Sequence, residues 1–592
     1  MQYLFVCSIG PVQDFIFTAR RSRDLWYGSW LLNELSKAAA KALSDRYGPN
    51  QLIFPAPEPG KIDVLAPGSE LNVANKIVAV AIDAPAVTGA LVRAAADQRL
   101  QELRKDAFGH VKGEFDSVLA ERQLQDLVEY YWVSVPLNDA QAYADARKTA
   151  DVLLDARKAT RNFAQFDGLP VPKSSLDGAR ESVIPESAYP SRRNNDRERT
   201  TKTKNLYRWY GARRGERLSG VDLVKRQGQR GSAVEPKFRS TSDMAARPFL
   251  ASVERLKGSG KAQELLEEIR ALLAEEDIHP EDRDGSLLYD ARLREWVPDE
   301  GKLDELRKKL TERLQEYAGR SQPDPYYALL MADGDNMGKV IDTQKTPEQH
   351  QRLSQALSAF ALDVNKRLKE DHQGVLIYAG GDDVLAYLPL HTALACAKTL
   401  AANFADHLKG FKSAEGVSPT LSVGLVVAHH LDPLADALEL AREAEKTAKR
   451  LPTKDALAIT VSKRSGVDRT IVGDRIALVE RLETMVGLLR QDAIGKGVAY
   501  ELQEIHRILG KTTGLPEDAV IREALRIVKR KRESGGSKTI EKRTRDQFEH
   551  WLRADRVPAD ELAQELIVAQ VFARAADLAY GRPTAPKEVA TP

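Results

Sequence analysis

Cysteine is almost missing from this chain: 592 residues carry two, Cys7 and Cys396. Two thiols exclude a disulfide framework and a four-cysteine zinc site, and each reads as a small buried apolar residue. No apolar run approaches the roughly 18 residues that a membrane-spanning helix needs. Met1 leads directly into the strand-like YLFVCSIG, with neither the basic flank nor the cleavage signal of an export peptide, so a cytoplasmic location is expected. Charge of one sign is not in excess either. The 88 Lys and Arg against 86 Asp and Glu leave a net +2, and global charge therefore points to no partner. What remains is an ordinary globular composition, 42% hydrophobic and 29% charged. The chain is too long for one core, which predicts three or four domains.

Local charge is less even. Residues 191–230 hold 13 Lys/Arg against 4 Asp/Glu, and residues 526–546 hold 9 against 3. Such clusters are often solvated loops. Tyr207, Trp209 and Tyr210 lie inside the first, and cations for phosphates beside rings for unpaired bases make a nucleic-acid contact an equal reading.

The most orderly stretch is 326–463. YYALLMA (326–332) reads as a buried strand ending in DGDNMGK, followed by a helix over Pro347–Glu370. Strands at 374–379 and 384–390 flank Gly380-Gly381-Asp382-Asp383. A helix over 391–409, a strand at 420–428, a helix over 433–449 and a strand at 456–462 complete the unit. The order β-α-β-β-α-β is ferredoxin-like, an arrangement shared by polymerase palms and nucleotide cyclases. The N-terminal part reads as a worn copy: YLFVCSIG, a helix over 24–46, then strands near 52–60, 75–83 and 128–137. It has Ser8 where the central unit has Asp333, and Pro55-Ala56-Pro57 where that unit has its two glycines and two aspartates. Residues 140–320 read as mostly helical with a basic loop near 191–215. After about Val472 the chain reads as helical, over 474–490, 496–509, 517–531 and 542–580, ahead of a disordered tail from Arg582. The fold class expected is α+β: two ferredoxin-like palm/cyclase domains, a helical inter-palm domain and an all-helical C-terminal domain, with boundaries 1–140, 141–320, 321–470 and 471–592.

Two adjacent aspartates at the mouth of an apolar hairpin are poorly explained by stability, because like charges repel and raise one another's pKa. A divalent cation resolves the conflict, since Mg²⁺ prefers carboxylate, phosphate and water oxygens. Asp333, at the end of the neighbouring strand, brings a third carboxylate. Three together predict a two-metal site that activates a ribose 3′-hydroxyl and stabilises a leaving pyrophosphate. Gly334, Asp335, Asn336, Gly338 and Lys339 form a loop whose backbone N–H groups could cradle a triphosphate, although it is not a Walker A sequence. Asp335 reads as a turn former or an outer carboxylate. Lys446 and Lys449 are candidates to reach phosphate, with Lys446 the preferred one, against the plainer reading of solvated helix lysines.

Six segments together carry a resemblance: SIGPVQDFIFTARRSRDLWYGSWLL (8–32), GERLSGVDLVKR (215–226), FRSTSDMAARPF (238–249), MADGDNMGK (331–339), YAGGDDVLAYLP (378–389) and SKRSG (462–466). They resemble the large polymerase/cyclase-like subunit of type III CRISPR effector complexes of the Cmr (III-B) kind, in order and over nearly the whole chain. The resemblance implies that the second palm polymerises ATP into cyclic oligoadenylate when the complex holds target RNA. It implies Mg²⁺ or Mn²⁺ on Asp333, Asp382 and Asp383, with Ser8 of the first palm facing a second ATP. Implied partners are the other Cmr-type subunits, the guide RNA and the target RNA. Residues 215–249 match a motif of no derivable chemical role, in which Leu218, Leu223, Val224 and Met244 read as packing. The histidine–aspartate nuclease of many relatives has no counterpart among the 10 histidines, so DNA cleavage by that route is not expected, and zinc is not expected either. Two other readings stay open: a catalytically silent scaffold of the same ribonucleoprotein, and a free-standing cyclic-dinucleotide cyclase.

Overall fold

The computed structural model describes residues 1–57, 62–125, 127–137, 142–160, 168, 170–230, 238–276, 278, 284–297, 300–509, 518–530 and 540–583. The glycine-rich stretch at 533–538 and the tail beyond 583 lie outside them. The first unit comprises β1 (Gln2–Gly10), α1 (Gln13–Phe17), α2 (Ser22–Tyr47), β2 (Leu52–Phe54), β3 (Lys76–Ala81), α3 (Pro85–Gly109), α4 (Ser117–Gln125), β4 (Glu129–Leu137) and α5 (Tyr143–Ala159). Its strands pair antiparallel in the order β2-β3-β1-β4, the ferredoxin-like order. Alternation along β1 sends Phe5, Cys7 and Ile9 toward α2 and α3, and Leu4 and Val6 toward α5. α5, counted with the middle domain in the sequence reading, thus covers the second face of this sheet with Tyr143, Ala146, Ala150 and Leu154.

A helical segment follows: α6 (Asp196–Tyr210), α7 (Gly220–Gln227), α8 (Thr241–Lys257), α9 (Lys261–Glu275), α10 (Asp290–Trp296) and α11 (Glu300–Ala318). Most of the stretch expected as a basic loop is instead helix α6, started by a reciprocal cap between Asn195 and Glu198 and ended by Gly211 at φ +67°. Tyr210 is buried and donates to Glu114 O at 2.6 Å, Trp209 meets Tyr210 edge-on, and Arg21 lies over Tyr207. Tyr210 is thus a core residue, while Tyr207 and Trp209 are half-buried and each already contacts a protein group. Lys225 and Arg226, counted in the same cluster, are also buried, with Arg226 between Asp24 and Glu216 at 2.8 and 2.9 Å. Leu218, Leu223, Val224 and Met244 are core residues as expected.

The second unit runs β5 (Tyr326–Asp335), α12 (Met337–Asp342), α13 (Pro347–Glu370), β6 (Val375–Gly380), β7 (Asp383–Leu388), α14 (Leu390–His407), β8 (Thr420–His429), α15 (Leu434–Lys449), β9 (Ala456–Val461) and β10 (Arg469–Asp474). Thr346 caps α13 by accepting from Gln349 N, with Pro347 at its first position. The sheet has six strands, β10-β9-β8-β5-β7-β6, of which β8-β5-β7-β6 repeat the ferredoxin-like order. β9 joins parallel to β8, and β10 adds an antiparallel edge that the sequence reading passed over. RTIVGD is short and half polar, which suits an edge and weakens the strand pattern.

Helices α16 (Arg475–Arg490), α17 (Gly497–Leu509), α18 (Ala519–Arg530), α19 (Lys542–Arg553) and α20 (Ala559–Tyr580) close the chain. The single helix expected over 542–580 is broken ahead of Pro558, which precedes the first residue of α20. α20 packs on α8, α14, α16 and α17. Among the described residues no helix is long and apolar enough to cross a membrane. The protein is thus α+β, with two ferredoxin-like palms, a helical connection between them and a helical C-terminal part.

The palms meet reciprocally. β2 packs on α13, and α2 packs on β6. Since β2 corresponds to β6 and α2 to α13, the same pair of elements meets twice, as at a two-fold dimer contact. Ala56 N donates to Ser354 Oγ at 2.8 Å, and Gln351 Nε2 donates to Asn50 O and Leu52 O at 2.8 and 3.0 Å.

Candidate active site in the second palm

The register of the second sheet brings the three aspartates together. Ala332 on β5 pairs with Val384 on β7, so one step further along the antiparallel ladder Asp333 stands across from Asp383. The next step sets Gly334 against Asp382. A Cβ on Gly334 would lie 2.7 Å from Asp382 Cβ and 2.8 Å from its Oδ2, so glycine is required for the strand end to approach the turn. β6 closes onto β7 through Gly380 and Asp383, leaving a two-residue turn with Gly381 at φ +69° in its first position. A Cβ on Gly380 would run into the Tyr378 hydroxyl. The ring of Phe54, from the first palm, comes within 3.9 Å of the Cβ position of Gly381.

Alternation along β5 and β7 points Asp333 and Asp383 to the face covered by α15. Lys449, the last residue of α15, makes an ion pair with Asp333. Glu445, one turn earlier, lies 3.7 Å from Lys449 and is a fourth carboxylate that the sequence reading missed. Its signal was its place four residues before Lys449 on one helix face. The preferred Lys446 points elsewhere: it is exposed and pairs with Glu443 at 3.0 Å. A three-residue offset on a helix is a rotation of about 60° and a rise of about 4.5 Å, enough to separate the two lysines. The close approach of α15 is allowed by Gly424 on β8, where a Cβ would lie 2.8 Å from Glu445 Cα.

Asp335 is neither a turn former nor open to a ligand. It is 2% exposed, its carboxylate accepts from Ser422 Oγ at 2.8 Å and Thr420 Oγ1 at 2.8 Å, and it also accepts from Asp455 N at 3.1 Å. The expected phosphate loop is correspondingly shorter. Gly334 and Asp335 belong to β5, Asn336 makes the turn alone at φ +61°, and Gly338 and Lys339 lie in α12. Lys339 is exposed, 3.6 Å from Glu415. Ser8 is buried on the α5 face of the first sheet, between Lys76 and Tyr131 on the neighbouring strands. Among the described residues no hydrogen bond joins it to the aspartates.

Burial raises the Asp382 carboxyl to about 6. Burial first, then the charges of Asp382 and Glu445, raise Asp383 to about 7. Asp383 is nevertheless exposed at the surface, and screening tempers the rise without reversing it. Glu445 is also raised, by burial and then by Asp335. Lys449 is lowered, by burial and by Lys454, although its contact with Asp333 favours the charge.

Asp382 and Asp383 are carboxylates crowded by protein and by each other, without a basic partner among the described residues, and their oxygens fit a hard divalent cation. Asp333 completes the set only by giving up Lys449. As the side chains stand, no group of three His, Cys, Asp or Glu among the described residues is placed to hold a metal.

Residues 326–458 match the second palm domain of Cas10/Cmr2, and residues 4–107 match the N-terminal domain of the CRISPR-associated protein Cmr2. A curated relative, the CRISPR system Cmr subunit Cmr2 of Pyrococcus furiosus, is 27% identical over 77% of this chain. The match spans 61% of that relative's own length. Among solved structures, the type III-B Cmr-beta complex in its apo state contains a chain that superposes with a TM-score of 0.64 at 14% identity, over 97% of this chain and 82% of that one. The same complex bound to cognate target RNA gives 0.62 at 14% identity, over 96% and 83%. At that identity the likeness is one of fold. The chain thus resembles Cas10/Cmr2 proteins in sequence over much of both palms, and it shares its fold with a chain of the Cmr-beta complex.

Proposed function

We propose that this chain is the polymerase-like subunit of a type III-B CRISPR effector complex and that its second palm links ATP into cyclic oligoadenylate. The observation carrying this reading is the convergence of Asp333, Asp382 and Asp383 at one sheet end beside the docked first palm. The reaction joins a ribose hydroxyl oxygen of one nucleotide to the α-phosphorus of the next, releases pyrophosphate and loses the hydroxyl proton. Mg²⁺ or Mn²⁺ on these carboxylates would favour the alkoxide and offset charge on the leaving group. Asp382 and Asp383 bind and orient. Lys449, once released from Asp333, supplies a positive charge to the triphosphate, and the Gly381 turn leaves the backbone open beside Phe54. Guide RNA, target RNA and the other Cmr-type subunits are the partners that the family implies.

The silent-scaffold reading draws on one observation, the neutralisation of Asp333 by Lys449. Both are tested with the full chain assembled with guide and target RNA, labelled ATP and Mg²⁺. Cyclic oligoadenylate that disappears in Asp382→Ala/Asp383→Ala supports the nucleotidyltransferase. Lys449→Ala is expected to lower turnover by about tenfold or more, the scale of a lost transition-state charge, with Lys446→Ala within about twofold of wild type. Absence of product from every assembly leaves the scaffold, and product from GTP without RNA points to a free-standing cyclase.

A further inference from the structure

We propose that Arg475, Asp455 and Asp335 form a positioning relay through which the C-terminal helices set the strand end carrying Asp333. The proposal rests on the reading of the second palm as a metal-dependent site. Asp335 lies two residues from Asp333 on the same strand and points to the same face. The register of β5 against β8 is already fixed by backbone pairing, with Asp333 opposite Ser422 and Asp335 opposite Thr420. The ladder therefore does not need the buried carboxylate. What that carboxylate adds is a grip outside the ladder, on Asp455 N at 3.1 Å.

Asp455 ends the connection between α15 and β9. It and Lys454 adopt φ +45° and +57°, two consecutive left-handed residues without glycine's freedom. Such a corner persists only where its surroundings over-determine it, and this one is held from three sides. Asp335 holds the Asp455 amide. Arg475 holds its carboxylate with a fork of 2.7 and 3.0 Å, and Arg475 N donates to Asp455 O at 3.0 Å. Lys454 Nζ reaches back to Lys449 O, at the residue that pairs with Asp333. The corner thus touches the catalytic strand by two routes, Asp335 along β5 and Lys449 at the end of α15.

The far end of the relay lies in the helical part. Arg475 is the first residue of α16, and Arg481 on the same helix makes a bidentate pair with the buried Glu565 of α20. A shift of α16 relative to the sheet would pull on Asp455 and so on both routes. The relay fits a division of labour in which a load on the C-terminal helices is read at the metal carboxylates.

The measurement is Mn²⁺ affinity of the full chain by electron paramagnetic resonance, with the melting temperature of each variant alongside. Arg475→Ala is expected to weaken Mn²⁺ binding by about tenfold or more, the range found when an outer partner of a metal ligand is removed. Arg475→Lys should recover part of the loss. Asp335→Asn combined with Arg475→Ala should bind no more weakly than the weaker single variant, the mark of residues acting in one chain. Arg490→Ala removes another pair between α16 and α20, to Asp577 at 3.0 Å; it should lower the melting temperature and leave Mn²⁺ affinity unchanged. The relay is overturned if Arg475→Ala binds Mn²⁺ within about twofold of wild type, or if Arg490→Ala weakens binding as much. If wild type binds no Mn²⁺, or Asp382→Ala/Asp383→Ala binds it equally well, the reading of the site itself fails and the relay with it.

Discussion

Asp382 and Asp383 occupy a turn whose surroundings disfavour their charge, and this has a consequence for stability. A carboxyl raised in the folded protein is ordinary, near 4, in the unfolded chain. Below that pH both states are protonated and nothing is lost. As pH rises from about 4 toward about 6 and about 7, the unfolded chain has released its protons while the folded one still holds them, so stability falls across this window and levels off above it. Metal-free wild type should therefore lose melting temperature relative to Asp382→Asn/Asp383→Asn between pH 4 and pH 7.5. Mg²⁺ at pH 7.5 should raise the melting temperature of wild type and not of the variant. A gap that stays constant over this range would refute the electrostatic account. At this scale the sequence was informative where residue type alone decides: two glycines and two aspartates in a row, with Asp333 near the end of the strand that pairs beside them. It preferred Lys446 where the structure sets Lys449 beside Asp333, and it missed Glu445, because those depend on which face α15 turns to the sheet. It left Asp335 open between a turn former and an outer carboxylate, because its partners Ser422, Thr420 and Asp455 lie 85 to 120 positions away.

Helix α15 carries both Glu445 and Lys449, and its distance from β8 is set by Gly424. Gly424→Ala places a methyl group 2.8 Å from Glu445 Cα and 2.9 Å from the Ala444 carbonyl carbon. Backbone cannot swing aside as a side chain does, so the helix must move, at a cost of about 1–3 kcal/mol. The expected result is a lower midpoint of denaturant unfolding at unchanged slope, together with weaker Mn²⁺ binding as Glu445 and Lys449 leave the carboxylates. Unchanged Mn²⁺ affinity would show that α15 does not shape the site. Elements with strong periodicity were legible to within a residue or two, among them α13 and strands β6 to β9 of the second palm, with β5 extending three residues beyond its expected end. Those that failed had mixed patterns: polar β10 on an edge, α6 hidden under its charge, and α19 and α20 run together across Pro558.

The pairing of the two palms is a property of the whole molecule, joined by a shared core and by polar contacts such as Tyr143 with His350 and Arg147 with Asp342. The first palm has no carboxylate at Ser8 and no glycine–aspartate turn, yet its Pro55-Ala56-Pro57 corner is held against α13 by Ser354, and the residues just before it, Asn50 and Leu52, by Gln351. Phe54, immediately before that corner, reaches the Gly381 turn. The repeat was legible as a worn copy, whereas the reciprocal contact of β2 with α13 and α2 with β6 was not, because it needs both units in space. If the first palm serves as the opposite wall of the site, loosening it should spare the metal and impair the reaction. Gln351→Ala/Ser354→Ala removes three hydrogen bonds between the palms, worth about 1 kcal/mol each, while leaving every carboxylate of the site in place. Mn²⁺ affinity should stay within about twofold of wild type. Cyclic oligoadenylate formation by the assembled complex should fall by about fivefold or more, on the scale of a misplaced reacting group. Equal losses of metal affinity and turnover would mean that the contact merely holds the second palm together. Loss of turnover alone assigns the first palm a place in the reaction that its own missing carboxylates would deny it.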